Sequence, residues 1–309
     1  MELREAHDVG AATFGELPTS GQRWTALWRL VETYHAVVYF APERAGHYEA
    51  LGLKGGWMGY FASRSGALGV VPPEAVTACF YNFKHTLVAR ALPDAWTYTT
   101  PALACQARLA VFDQAIRRLL GELSTGAAVR EAAEVAVAAV DGCDLAGRPL
   151  SAAHAAQPVP EDPHLALFWA AAVLREFRGD GHNIALAHAG VGGCEAHVLM
   201  CALGLVPADQ RRFRGWDDDD WSAATARLQD RGWLDDSGHI TAAGRRARAE
   251  IERVTDRLSE TPWRHLGADR SDRLREQLTP LAARIVTGGG VPYPNGMGVP
   301  CAPELAATR

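Results

Sequence analysis

Several short stretches place acid–base, cationic and aromatic side chains at helical spacing. In YHAVVYF, His35 and Tyr39 stand four apart and share a helix face, with Tyr34 beside them. In GYFASR, Tyr60 and Arg64 repeat that spacing just after Trp57. RGDGH sets Arg178, Asp180 and His182 around two glycines, and FYNF gathers Tyr81 and two phenylalanines around Asn82. The chemistry such residues offer is acid–base work by His182 with Asp180, histidine being the side chain poised near neutral pH. His35 is the other acid–base candidate. Arg64 and Arg178 suit a carboxylate or carbonyl oxygen. Tyr34, Tyr39, Trp57, Tyr60 and Tyr81 offer flat walls for a planar ligand, and Asn82 a polar contact. Aromatic walls with a few convergent polar groups are the usual anatomy of a small-molecule site. Plainer readings stand beside these. RGDGH also reads as a glycine ending one helix and an Asp capping the next, and His35 as a satisfied core histidine.

Several chemistries are excluded by what is missing. There is no G-x-S-x-G, no Walker A sequence and no dinucleotide fingerprint in a βαβ setting. GLKGGWMG is glycine-rich, but its surroundings read as helical, so nothing aims it at a phosphate. His182, His188 and His197 include no i, i+4 pair and no H-E-x-x-H, so no metal site is expected. The cofactor is left unassigned, because haem needs only one axial histidine, which His35 or His182 could supply.

The 309 residues carry a net charge of -5 and a pI near 6.1, so no general cationic field draws the chain to nucleic acid or anionic lipid. No apolar run approaches the roughly 20 residues that span a bilayer, and the N-terminus is too polar for a signal peptide. Six scattered cysteines without C-x-x-C spacing fit reduced thiols in a cytoplasm.

The elements that must position these residues are helices. Apolar periodicity marks one from Trp24 to Phe40, a long one from Pro101 to Gly121 and an alanine-rich one from Ala127 to Val140. Another is expected from Pro163 to Phe177, ending at RGDGH, and a last long one from Thr241 to about Leu258. Pro, Gly and Ala content between Asp141 and Pro163 suggests a connector. The expected organisation is therefore a polar lead-in (1–21), an N-terminal helical lobe (22–140), a connector (141–162), a C-terminal winged-helix-like lobe (163–286) and a mobile tail (287–309).

The two lobes resemble each other. GYFASRSGALGVVPPEAV (Gly59–Val76) parallels GHNIALAHAGVGGCEAHV (Gly181–Val198), and AWTYTTPALACQARL (Ala95–Leu109) parallels GWDDDDWSAATARL (Gly215–Leu228). An internal duplication predicts two helix-turn-helix-like lobes facing a cleft, with Tyr60 and His182 in equivalent positions.

ARLQDRGWLDDSGHITAAGRR resembles the wing and following helix of MarR-type winged-helix regulators, over about 45 residues. The resemblance implies a recognition helix, a short β-hairpin and a helix capped by Thr241. It does not carry DNA reading with it. The presumed recognition helix opens on Asp217, Asp218, Asp219 and Asp220, and the hairpin tip is two aspartates, a serine and a glycine. Carboxylates repel phosphates and release no counterions. Helix capping explains the aspartates sufficiently. Over the whole chain, YHAVVYFAPE, YEALGLKGGWMGYFASRSGALG, FYNF, ALPDAW and RGDGH are similar to an actinobacterial family that carries a helix-turn-helix label.

The expectation is a mostly α protein of two helix-turn-helix-like lobes, the second with a short winged β-hairpin. It is a cytoplasmic small-molecule-binding protein, with catalysis left open, rather than a conventional DNA binder. Its partner is a small planar or anionic molecule; no membrane is expected, and a homodimer stays open. The alternative is a MarR-like transcriptional regulator.

Overall fold

The computed structural model describes residues 20–207, 209–303 and 305. All but the last two residues of the expected lead-in lie outside that range.

The described chain is helical. In order the helices are α1 (Ser20–Phe40), α2 (Arg44–Glu49), α3 (Gly55–Ser65), α4 (Pro73–Phe80), α5 (His85–Ala91), α6 (Ala95–Tyr98), α7 (Pro101–Leu120), α8 (Ala127–Val140), α9 (Pro149–Ala155), α10 (Pro163–His188), α11 (Gly193–Ala202), α12 (Gln210–Phe213), α13 (Asp218–Asp230), α14 (Ala242–Leu258) and α15 (Thr261–Thr287). Proline opens α4, α7, α9 and α10, where its missing N–H is one the helix could not have used. Gly267 departs from helical geometry and divides α15 into two segments.

Two hydrophobic cores organise these helices, and they do not part at the expected connector. The larger contains side chains of α1, α3, α7 and α8 together with the first half of α10 and the second segment of α15, among them Leu30, Phe61, Phe112, Val129, Phe168 and Leu281. The smaller joins the end of α10 to α11, α13 and α14 through Leu186, Leu199, Leu228 and Ile251. The 163–286 lobe is therefore shared: α10 belongs to both cores and is the beam between them.

That role corrects the reading of RGDGH. The stretch does not break the helix, which runs unbroken from Pro163 to His188. Its second glycine, Gly181, answers a packing need instead. A Cβ on Gly181 would collide with the Arg148 guanidinium, which reaches across to bond Phe177 O at 2.6 Å. Small residues are accepted inside a helix when another group must approach its backbone.

The winged β-hairpin is also corrected. Among the described residues there are no strands; the presumed wing is reduced to a single antiparallel bridge between Leu234 and Ile240. Asp235 closes the turn by accepting from Ser237 N and His239 N, both at 2.9 Å, and Gly238 supplies the positive φ. The arms are simply too short for a ladder. Thr241 nevertheless caps α14 by accepting from Gly244 N at 3.0 Å.

The stretch expected to be a mobile tail is packed along its described part. Val291, Ala302 and Leu305 are buried, Tyr293 Oη meets Thr33 Oγ1 of α1 at 3.0 Å, and Gly296 O accepts from Arg214 at 2.7 Å. A few apolar side chains find a prepared surface, although the segment's composition is too polar to form a core alone. No single described helix is long and apolar enough to cross a membrane.

The two similar stretches fall on helices in matching order, α3 then α4 in the first, the end of α10 then α11 in the second.

Candidate functional site

A cavity of about 930 Å³ lies where the two cores meet. One wall is α1, contributing Trp28, Arg29, Glu32, Tyr39 and Phe40; the next is α3, with Trp57, Tyr60 and Arg64. The turn after α4 supplies Tyr81, Asn82 and Phe83, and α10 supplies Arg175, Arg178 and His182. Arg245, Arg248 and Glu252 of α14 form the floor, and residues 296–300 cross the top. Tyr81 holds φ 49°, a strained value for a non-glycine residue, at the reversal between α4 and α5. Its hydroxyl donates to Val191 O at 2.7 Å, and its carbonyl lies so close to Gly193 that no Cβ fits there.

The inner end of the cavity rests on a buried ion network. Arg64 donates from Nε and Nη2 to the two oxygens of Glu176, at 2.9 and 2.8 Å. Arg175 donates to the same carboxylate at 2.8 Å and faces Glu32 at 3.5 Å. Burial would raise the Glu176 carboxyl, but Arg175 and Arg64 overcome it and hold the group well below the usual carboxylate range. Glu32 goes the other way: burial outweighs Arg175 and raises it. Across the cavity, Arg178 bonds Asp256 at 2.7 Å and Glu252 at 3.0 Å and lies over the Trp28 ring. That ion pair and Trp28 also border a second groove of about 540 Å³ further along α14.

The cavity is electropositive. Eight arginines and two glutamates line it. Among the described residues Arg29, Arg44, Arg214 and Arg245 have no carboxylate partner. Several polar atoms on its walls are buried without a hydrogen bond: Trp28 Nε1, Arg29 Nε, both Glu32 oxygens and Arg214 Nε. Unmet buried donors and acceptors of this kind cost about 1–3 kcal/mol each, so their gathering around one space is a feature to explain.

Of the residues the sequence singles out, Tyr39, Trp57, Tyr60, Arg64, Tyr81, Asn82, Arg178 and His182 line this cavity. Three do not. Tyr34 is wholly buried in the larger core with its hydroxyl on His164 O at 3.2 Å. His35 is equally buried, stacked on Phe168 and held by Arg108 at 3.1 Å; burial drives its imidazole pKa well below the ordinary value. Asp180 points away from the cavity and accepts from Leu150 N and Ser151 N at 3.1 and 3.0 Å, capping α9 across space. The expected His182–Asp180 pair is therefore not formed, because in a continuous α10 residues two apart face different directions. His182 Nδ1 instead meets Thr255 Oγ1 at 2.9 Å. That hydroxyl gives its proton to Ile251 O, so the imidazole donates from Nδ1. Burial lowers His182 to about 4, leaving it neutral near pH 7.

Sequence reasoning missed Arg29, Glu32, Arg175, Arg214 and the α14 floor. For Glu32 a signal was present: one acid stands inside the apolar run LVETYHAVVYF, seven before Tyr39. Arg214 had none, since a connecting turn brings it in. Among the described residues no group of three His, Cys, Asp or Glu could hold a metal.

Asp217, Asp218 and Asp220 of DDDDW have plain partners, Asp218 in Arg211. Asp217 and Asp220 cap α13 reciprocally, and Lys84 at the start of α5 bonds Asp217 at 2.6 Å and Asp220 as well. The outer face of α13 presents Asp219, Ser222, Ala223, Ala226 and Asp230, with Arg227 turned to Glu195 at 2.6 Å.

A model described as a helix-turn-helix family matches residues 24–292. No curated protein and no solved structure matches the chain.

Proposed function

The chain belongs to this helix-turn-helix family, and within that fold we propose that it is a small-molecule-binding protein whose central cavity takes a planar organic anion. The observation that carries this reading is the cavity's unmet polarity: four guanidiniums without carboxylate partners among the described residues, facing a space walled by Trp28, Tyr39, Trp57, Tyr60 and Phe83. A carboxylate with an aromatic or conjugated body would bond the guanidiniums, which match its geometry in two-pronged fashion, and stack on the rings. The unpaired thiols support a cytoplasmic setting.

The test is tryptophan quenching and thermal shift with a panel of aromatic carboxylates and their amides. The acids are expected to quench Trp28 and Trp57 and to raise Tm, and Arg29→Ala with Arg245→Ala to weaken them. Equal binding of the neutral amides would sink the anion reading.

A ligand-responsive regulator is the second reading, favoured by the α11–α13 helix pair and by the family. The acidic, alanine-rich outer face of α13 weighs against direct base reading, which needs Arg, Lys, Asn or Gln at groove edges. Fluorescence anisotropy with duplex DNA over a salt series separates the two. Binding weaker than about 10⁻⁴ M at physiological salt is expected, whereas tight, steeply salt-dependent binding would favour the regulator.

A further inference from the structure

Anion binding explains the guanidiniums but not the acid among them. Glu32 sits on the cavity face of α1, 2 % exposed, with neither oxygen hydrogen-bonded. Its nearest basic groups, Arg175 Nε at 3.5 Å and His35 Nδ1 at 3.8 Å, stand beyond ordinary hydrogen-bond length. Arg175 spends its short bond on Glu176, and the His35 imidazole is held neutral by burial.

Two phenols nearby are in the complementary condition. Tyr60 Oη accepts from Arg64 Nη1 at 3.0 Å, with the Arg214 guanidinium near enough to act on the phenol's charge. Tyr39 Oη accepts from Arg108 Nη2 at 3.2 Å. Guanidinium only donates, so each phenol accepts from the protein through a lone pair, and neither O–H has a protein acceptor among the described residues. Both residues line the cavity, so both protons are offered to what occupies it. The rings lie 5.6 Å apart, and Arg175 sits 5.7 Å from the centre of Tyr39 while facing Glu32. The carboxylate and the two donors therefore converge around one guanidinium.

We propose that the cavity moves a proton at the carbon next to a ligand's carbonyl, with Glu32 as the base and Tyr39 and Tyr60 as the donors that hold the enolate oxygen. The proposal rests on the binding reading above. The Glu32 carboxylate takes the proton, and the C–H electron pair becomes the C=C bond. The carbonyl π pair moves to oxygen, where the two phenols bond it. The carboxyl then returns the proton to the same carbon or to one conjugated with it. No electrons are gained or lost and no co-reactant is consumed. Donors fixed in advance on the developing charge make such a step fast, and a base raised toward neutrality drives it. Burial raises Glu32 in that direction; the groups facing it are Arg175 and Glu176 from α10, Arg64 from α3 and His35 from its own helix. Tyr60 is pushed up by burial, but Arg64, Arg214 and Arg175 outweigh this and hold its phenol below the ordinary value, which makes it a stronger donor.

The test uses phenylpyruvate, a 2-oxo acid whose enol is planar, in deuterated water, following loss of its methylene proton signal by NMR. The full chain is expected to speed exchange about 100-fold or more over buffer. Glu32→Gln should abolish the acceleration, and Tyr60→Phe should reduce it about tenfold, with tryptophan quenching by phenylpyruvate retained in both. If Glu32→Gln unfolds, Tyr60→Phe and Tyr39→Phe carry the test. Quenching by the native chain with exchange at the buffer rate overturns the proposal, as does native-rate exchange in a folded Glu32→Gln. Absence of quenching overturns the binding reading itself, and this proposal with it.

Discussion

The Arg64 guanidinium meets the Glu176 carboxylate along two parallel bonds, at 2.9 and 2.8 Å, with both side chains buried. This pair ties α3 to α10 beneath the cavity, where water cannot replace a lost partner. Removing one side should leave an uncompensated buried charge, so Arg64→Ala or Glu176→Ala should cost about 3–5 kcal/mol in urea unfolding at pH 7. An Arg64→Met/Glu176→Leu double variant should regain much of it. The carboxyl's folded pKa is depressed, so its contribution is present above the ordinary 4.5 and lost as pH falls below that toward the folded value. A flat stability curve from pH 5 to 3 in the native chain, matching that of Glu176→Gln, would contradict this.

His182 is expected to stay neutral through the physiological range, its imidazole titrating at about 4 by NMR because burial disfavours the charged ring. The sign for stability follows. Between the ordinary 6.5 and about 4, the unfolded chain binds a proton that the folded one refuses, so stability declines as pH falls through that window. His154 and His197 are lowered to about 4 in the same way, so His182→Asn should remove one share of the slope and not all of it. A native His182 titrating near 6.5 would mean that the cavity is wet and open at this point.

How much of this was legible in the sequence depends on the distance over which each feature is specified. The α1 face carrying Tyr39, the α3 face carrying Tyr60 and Arg64, and the capping aspartates of α13 are set by local periodicity, and a sequence displays that directly. RGDGH misled because its glycines mimic a helix end, whereas Gly181 is required by Arg148, a residue distant in sequence that needs the space. Asp180 misled for the same reason: its partners are the N–H groups of α9. The stretch RGWLDDSGHIT has the residue order of a wing, but one bridge's worth of backbone cannot make strands. The tail's composition points to disorder and fails along its described part, since Leu119 and Thr33 supply the surface it lies on.

Asp217 at the start of α13 should prove a structural residue. Its carboxylate accepts from Asp220 N at 2.9 Å and pairs with Lys84, and these bonds lower it to about 2. Asp217→Ala should lower Tm, while Asp217→Asn, which keeps the cap and loses only the ion pair, should lower it less. The contribution of Asp217 is present above the ordinary 3.8 and disappears as pH falls through about 2. Equal Tm values for the two variants would place the effect in the Lys84 contact alone.

The strap over the cavity should govern how fast a ligand leaves. Residues 296–300 close the top, anchored where Arg214 donates to Gly296 O at 2.7 Å and where Gly298 packs on Met200 and Val206. Gly298 has φ +67, and a Cβ there would collide with the Met200 methyl, so an L side chain meets both backbone strain and a clash. Gly298→Ala removes no polar group from the cavity, yet it should lift the strap. Stopped-flow tryptophan fluorescence with an aromatic carboxylate should then show faster dissociation and faster association together, with the dissociation constant changed less than either rate. Arg214→Ala should behave differently. It frees the strap and also deletes a guanidinium facing the ligand and Tyr60, so it should weaken binding about 10-fold or more, the loss of a charged hydrogen bond of about 1.5–3 kcal/mol, on top of the faster rates. Dissociation unchanged in Gly298→Ala would mean that ligands reach the cavity elsewhere. The route left is then the side bordered by Trp28 and the Arg178–Glu252 pair, the partition it shares with the second groove.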